Sequence, residues 1–175
     1  MKKIRITFLM LLCSSIAVAE NAVPEKCTNM PVYSLLDFWV GEWVVYSGAE
    51  KVGENRIEKV LGGCAVLEHW QGASGAKGKS LFFVDSSGTW KQVWVTESAA
   101  SPGGVKEKTH VADLASKAIV FQGEIKHSDV GTYLDRTTLA PIQNGRVRQI
   151  IEISQDGGET WKTIFDAIYK RMTVN

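Results

Sequence analysis

From Glu42 onward the chain alternates between short apolar-rich runs and turn residues. The ten runs have β-type composition, and glycine, proline, serine or asparagine residues separate most of them. They span residues 42–47, 53–61, 64–71, 79–85, 89–96, 105–114, 117–123, 132–139, 146–154 and 160–172. Turn signals at this spacing, without long helical periods, favour an antiparallel sandwich or barrel. The pattern predicts an all-β fold, an antiparallel up-and-down β-barrel of about ten strands, preceded by one short helical turn within residues 33–39.

Several predicted strands carry a mixed face of large apolar residues and single polar ones, because alternate strand residues share a face. These faces are Val66, Glu68 and Trp70, then Trp90, Gln92 and Trp94, then Val147, Gln149 and Ile151. A ligand cavity lined by aromatic rings and a few hydrogen-bonding groups has this composition. A packed interior in which indoles and polar groups satisfy one another has it too. Periodicity does not say which face points inward, so both interpretations stay open.

Seven residues are candidate ligand-binding residues, five of them from these mixed faces. They are Trp43, Glu68, Trp70, Gln92, Trp94, Arg136 and Gln149. The preferred function is binding of a small, partly apolar molecule in the barrel interior. The alternatives are a small-molecule enzyme that uses Glu68 or Arg136 beside the cavity, and a structural or interaction protein with a filled barrel.

The sequence contains no catalytic motif that would assign an enzymatic activity. The chain has no Gly-x-Ser-x-Gly elbow, no His-Glu-x-x-His zinc helix and no complete phosphate-binding loop. The carboxylates of Glu68, Asp135, Glu152 and Asp166 could include a general acid/base pair. Exposure to solvent or strand-end ion pairing is the favoured interpretation of these four, so we predict no catalytic residue.

The first 19 residues have the organisation of a secretory signal. Lys2, Lys3 and Arg5 precede an apolar run at residues 6–12, and Ala19 closes an Ala-x-Ala sequence. The apolar run is well short of the ~20 residues that a spanning helix needs, which disfavours the alternative of a retained anchor. We predict cleavage after Ala19, a periplasmic or secreted location and no membrane insertion of the mature chain.

Cleavage divides the chain and changes its charge. The predicted division is a signal peptide at residues 1–19, an N-terminal arm at 20–36 and a single barrel domain at 37–175. Without the three basic signal residues, the 20 lysines and arginines fall to 17 against 19 acidic residues, a net charge of −2. Such a balance provides no basic field, so we expect no nucleic-acid partner. The sequence makes no prediction of oligomeric state.

Two cysteines remain after the signal, which contains Cys13. Cys27 and Cys64 are expected to form a disulfide, since two thiols in an oxidising compartment usually pair. Metal binding is the alternative, but neither cysteine has a second cysteine or a histidine at ligand spacing. We therefore predict no metal site.

Residues 154–161, Ser-Gln-Asp-Gly-Gly-Glu-Thr-Trp, match the Ser-x-Asp-x-Gly-x-Thr-Trp pattern of the Asp-box. In this pattern the aspartate and the glycines form a hairpin turn and the tryptophan packs beneath it. Sialidase-like propellers repeat the pattern once per blade. Here it occurs once, so it predicts a hairpin and not a glycosidase.

Seven blocks of the chain together resemble a family of uncharacterised exported bacterial proteins, a domain of unknown function with a lipocalin-like or calycin-like barrel. The first block, Asp37-Phe38-Trp39-Val40-Gly41-Glu42-Trp43, is similar to the Phe-Trp-x-Gly-x-Trp opening of that family. The others are residues 55–58, 61–70, 90–95, 147–149, 154–161 and 165–169. The resemblance implies a closed or nearly closed antiparallel barrel and no particular activity.

The opening also looks like that of nitrobindin-type and fatty-acid-binding barrels, where the tryptophan plugs one end. The resemblance implies the same position for Trp39 or Trp43. Nitrobindin-type barrels hold haem through a histidine near the C-terminus. This chain has no histidine after His127, so that ligand is missing and we expect no haem. We also predict no other cofactor.

Overall fold

Ten strands and four short 3-10 segments form the part of the chain that the structure, a computed structural model, describes. The described residues are 27–97, 104–111, 118–129 and 131–173. The strands are β1 (Gly41–Ser47), β2 (Glu50–Val60), β3 (Ala65–Gly72), β4 (Lys77–Val84), β5 (Trp90–Thr96), β6 (Val105–Val111), β7 (Ile119–His127), β8 (Gly131–Ile142), β9 (Arg146–Ser154) and β10 (Lys162–Arg171). The 3-10 segments are Cys27–Asn29, Pro31–Ser34, Asp37–Trp39 and Leu61–Gly63. The predicted signal peptide, and the arm as far as residue 26, lie outside the described residues.

The strands close into an up-and-down barrel. Each strand pairs antiparallel with the next one in the sequence, and β10 pairs with β1 to complete the ring. Closure leaves no unpaired strand edge. The predicted fold class is confirmed, including the number of strands and the short helical turn before the first one. Over the described ranges, no helix has the length and apolarity needed to span a membrane.

The first hairpin is tighter than the sequence pattern predicts. The predicted strands end at residue 47 and begin again at residue 53, yet β2 already begins at Glu50 and only two residues connect the strands. Gly48 adopts φ = 59°, a left-handed conformation that glycine tolerates. The ladder pairs Val45 with Gly53 and Tyr46 with Lys51, so Val52 is an extra residue on β2. This bulge lets β2 start early while its later residues keep their inward positions.

One end of the barrel is closed by the 3-10 segment before β1. Trp39 is fully buried and packs edge-on against Phe82 and Tyr169, with ring centroids 5.6 and 6.0 Å away. Its carbonyl oxygen accepts a 2.8 Å hydrogen bond from Nε1 of Trp43. The described part of the predicted arm also packs here, since Nε1 of Trp90 donates to the carbonyl oxygen of Val32 at 2.9 Å. We call this the plugged end. The opposite end, where residues 48–49 connect β1 and β2, is called the hairpin end.

A disulfide holds the arm to the plugged end. Cys27 and Cys64 are bonded, with Cα atoms 4.9 Å apart, and Cys64 lies at the turn between β2 and β3. The predicted pairing is confirmed.

The Asp-box residues connect β9 and β10 at the hairpin end. Oδ1 of Asp156 accepts hydrogen bonds from the hydroxyl of Ser154 at 2.7 Å and from the backbone N–H of Thr160 at 2.9 Å. The Trp161 indole donates to the carbonyl oxygen of Gly158 at 3.0 Å. The motif therefore builds a turn from local hydrogen bonds, as its residue types predict.

Candidate functional site

The apolar core fills the plugged end, and a cavity of about 350 Å³ occupies the barrel nearer the hairpin end. The cavity is partly open to solvent. Its wall consists of Glu68, Trp70, Gln92, Trp94, Lys106, Lys108, Thr137, Gln149, Ile151, Phe165 and Tyr169. Five of the seven candidate residues are among them.

Strands β3, β4 and β5 place the first group of wall residues side by side. In the ladder Glu68 pairs with Ser80, and Ser80 pairs with Trp94, so three inward side chains form one row. Gln92 is also buried, and the row it belongs to lies one step nearer the plugged end. The mixed faces that contain Glu68 and Gln92 therefore point into the barrel.

Two glycines give the tryptophan rings their positions in the wall. A Cβ atom at Gly53 would lie 2.6 Å from Cη2 of Trp70, and one at Gly78 would overlap the ring of Trp94. The missing side chains therefore leave space for both indoles on the neighbouring strands. The ring of Phe165 packs edge-on to Trp70 at 6.2 Å, which extends the aromatic wall to β10.

Glu68 is a buried carboxyl group at the cavity wall. Nδ2 of Asn55 donates to its Oε1 at 2.7 Å, and the Ser80 hydroxyl donates to its Oε2 at 2.6 Å. Burial raises the pKa of Glu68, although these hydrogen bonds and the charge of Lys108 act in the opposite direction. Its side chain is therefore fixed in place, and its negative charge is disfavoured.

A buried ionic cluster forms another part of the cavity wall, next to β5. Nζ of Lys108 contacts Oδ1 of Asp135 and donates to the hydroxyl of Thr137 at 2.6 Å. Nζ of Lys106 lies 2.6 Å from the other oxygen of Asp135. Asp135 has no solvent exposure, whereas the Lys106 side chain is 20% exposed. Burial lowers the pKa of Lys108, and the attraction of Asp135 opposes that effect.

Tyr169 and Gln149 complete the polar wall. The Tyr169 hydroxyl donates to Oε1 of Gln149 at 2.5 Å, and Nδ2 of Asn55 lies 3.4 Å from the hydroxyl oxygen. Burial raises the pKa of Tyr169 well above its ordinary value, so the phenol stays protonated. This pair links the Glu68 group to β9 and β10.

One polar atom of the wall lacks a protein partner. Nε2 of Gln92 donates to the hydroxyl oxygen of Ser80 at 3.1 Å, but Oε1 accepts no hydrogen bond from the described residues. Gln92 is only 6% exposed. An unmet acceptor at such a position is costly unless water or a ligand donates to it.

Two of the seven candidates lie outside the cavity wall. Trp43 belongs to the core, where its ring packs edge-on to Tyr169 at 6.1 Å. Arg136 lies on the outer face of β8, because its neighbours Asp135 and Thr137 point inward and side chains alternate. There its guanidinium donates to Glu152 at 2.9 Å and lies 3.8 Å from the ring of Trp161. The enzyme alternative had placed Arg136 beside the cavity. The structure places it on the outer face instead.

Four carboxylates were expected to be exposed or ion-paired at strand ends, and this expectation is correct for two of them. Glu152 and Asp166 form ion pairs with arginines on the outer face. Glu68 and Asp135, in contrast, are buried and point into the barrel, so exposure does not describe them.

Sequence reasoning missed the two lysines of the wall. In β6, Lys106 and Lys108 share a face, while Val105 and Val111 share the other and are exposed. Hydrophobicity alone selects the wrong face of this strand as the inner one. The usable signal is the register, since Trp94 pairs with Lys106 and Gln92 pairs with Lys108 across β5 and β6.

Within the described ranges, no group of three or more histidine, cysteine or acidic residues is arranged to hold a metal ion. Compared with protein-family models and with curated proteins, the sequence matches none of either.

Proposed function

We propose that this protein binds a small, partly apolar molecule inside its barrel. The observation that carries the proposal is the cavity of about 350 Å³, whose wall combines aromatic rings with placed polar groups. Small-molecule sites occupy roughly 300–1,000 Å³ and combine apolar surface with a few orienting polar groups. The volume is at the small end of that range.

The aromatic and the polar residues of the wall contribute differently to binding. Burial of ligand surface against Trp70, Trp94 and Phe165 supplies affinity, at about 25 cal/mol per Å² of apolar area removed from water. Gln92 and Gln149 fix the orientation of the ligand, because both are held by other side chains and line the same cavity.

The two alternatives have less support. A filled barrel with a structural role would leave no space of this size. An enzyme would use Glu68, and its raised pKa at a cavity wall is the feature that favours this second candidate. Both oxygens of Glu68 already accept hydrogen bonds from Asn55 and Ser80, which is typical of a positioned structural group.

We propose further that the protein is exported to the periplasm or secreted, and that it belongs to the uncharacterised bacterial family that it resembles. The signal pattern of residues 1–19 supports export, and so does the disulfide, because disulfides persist in oxidising compartments.

The proposal is tested with the neutral fluorescent probe N-phenyl-1-naphthylamine. The probe should quench tryptophan emission saturably, and Trp94→Ala should weaken its binding by about 1–3 kcal/mol, roughly 5- to 150-fold. Trp161→Ala is the matched control, because this ring lies outside the cavity wall. Absence of saturable quenching, or equal effects of the two substitutions, would contradict the proposal. Native mass spectrometry of the purified protein should show retained small molecules.

A further inference from the structure

The ionic cluster of the cavity wall has an excess of positive charge. Lys106 and Lys108 both contact the single carboxylate of Asp135. Among the described residues that line the cavity, Glu68 is the only acidic one. Its burial raises its pKa and disfavours its charged form, so it compensates the second ammonium group poorly.

The two ammonium groups also have unused hydrogen-bond donors. Each carries three N–H groups. Among the described residues, Nζ of Lys108 has two acceptors, Asp135 and Thr137, and Nζ of Lys106 has one, Asp135. Three donors on two cationic side chains therefore remain at the cavity wall.

The residue that pairs with Lys108 in the sheet carries an unmet acceptor. Gln92 pairs directly with Lys108 across β5 and β6, and its Oε1 has no partner in the described part of the chain. The amide orientation follows from Ser80, whose hydroxyl hydrogen goes to Glu68 and whose oxygen is then free to accept from Nε2. A fitting ligand thus offers a strong acceptor to the lysines and a donor to Gln92.

We propose that the cavity selects small organic monoanions, namely carboxylates on an aromatic or compact apolar body. The carboxylate contacts Lys106 and Lys108, a neighbouring hydroxyl or N–H group of the ligand donates to Gln92, and the apolar body packs between Trp70 and Trp94. The volume limits the ligand to the space of roughly a dozen water molecules at ~30 Å³ each. This inference rests on the proposed binding function and specifies its ligand.

The experiment compares two probes with the same aromatic body, 1-naphthylacetate and its neutral amide, 1-naphthylacetamide. Calorimetric titration of the native protein should give at least tenfold tighter binding of the carboxylate, since charge-assisted hydrogen bonds contribute more than neutral ones. Lys106→Gln should lower carboxylate affinity about tenfold and change amide affinity less than about twofold. Lys79→Gln, at an exposed position of β4, is the matched control and should change neither.

The outcomes separate the two proposals. Equal affinity for both probes, or an equal effect of Lys106→Gln on both, overturns carboxylate selection and leaves small-molecule binding in place. If none of the three probes binds (the carboxylate, the amide and N-phenyl-1-naphthylamine), both proposals are overturned. If Lys106→Gln does not fold by circular dichroism, the carboxylate-to-amide ratio of the native protein decides alone, and added salt should reduce that ratio.

Discussion

The contact between Lys108 and Asp135 gives the sharpest test of the interior. Lys108→Met keeps an unbranched side chain but removes the ammonium group, and with it the hydrogen bonds to Asp135 and Thr137. Removing one partner of a buried ion pair costs ~3–5 kcal/mol of unfolding free energy, because the remaining charge is left uncompensated. Lys106 still lies 2.6 Å from Asp135, so we expect the lower end of that range, about 3 kcal/mol.

A double-mutant cycle isolates the pair from the general effect of each substitution. Asp135→Asn leaves two lysines without a carboxylate and should be destabilising on its own. In the double variant Lys108→Met/Asp135→Asn neither charge of the pair is present. The double variant should therefore lose at least ~2 kcal/mol less unfolding free energy than the sum of the losses in the two single variants. Urea unfolding followed by tryptophan fluorescence measures each free energy.

The matched control is Lys91→Met on the outer face of the neighbouring strand. Lys91 donates to the hydroxyl of Thr109 at 3.0 Å and lies 3.4 Å from Asp85, and its side chain is one-third exposed. Solvent-exposed pairs contribute about 0–1 kcal/mol, so this variant should lose no more than that. A coupling energy below about 0.5 kcal/mol between Lys108 and Asp135, or equal losses in Lys91→Met and Lys108→Met, would refute the assignment of a buried, energetically coupled cluster.

Three further predictions concern the disulfide, Glu68 and the Asp-box turn. The mature protein, without the predicted signal segment that contains Cys13, should show no free thiol by titration after unfolding without reductant; two titratable thiols would disprove the bridge. Replacing Cys27 and Cys64 with alanine should lower the unfolding free energy by about 4 kcal/mol through the entropy of the unfolded chain. Because the folded state raises the pKa of Glu68 above 4.5, it binds this proton more tightly than the unfolded state, and stability falls as the pH rises through and above that value. Glu68→Gln should therefore be more stable than the native protein at neutral pH and similar to it below pH 4.5, and identical pH profiles of unfolding would contradict this. Hydrogen bonds from Thr160 and Ser154 lower the pKa of Asp156, so Asp156→Ala should lower the melting temperature at neutral pH. The effect of the substitution should become smaller as the pH falls through that lowered pKa. An unchanged melting temperature would show that the turn does not depend on the carboxylate.

Local interactions explain why the strand pattern was predictable. Strands can be recognised from their β-branched and aromatic residues, and the turns between them from glycine, asparagine and aspartate. The Asp-box turn is built almost entirely by hydrogen bonds within residues 154–161. The sequence therefore determined the number and succession of strands, and it also indicated the disulfide, because only two cysteines follow the predicted signal segment.

Which strand face lines the barrel was decided by the tertiary structure. Alternation assigns residues to two faces, but only the register of the closed sheet states which one points inward. It placed Lys106 and Lys108 inside, where their strand pattern argued against it, and Arg136 outside. The physical reason is that a buried charge needs a partner, and the partner of Lys108 is Asp135 on a strand that does not adjoin β6. A pairing of this kind exists only once the ring of strands has closed, so the composition of a single strand cannot reveal it.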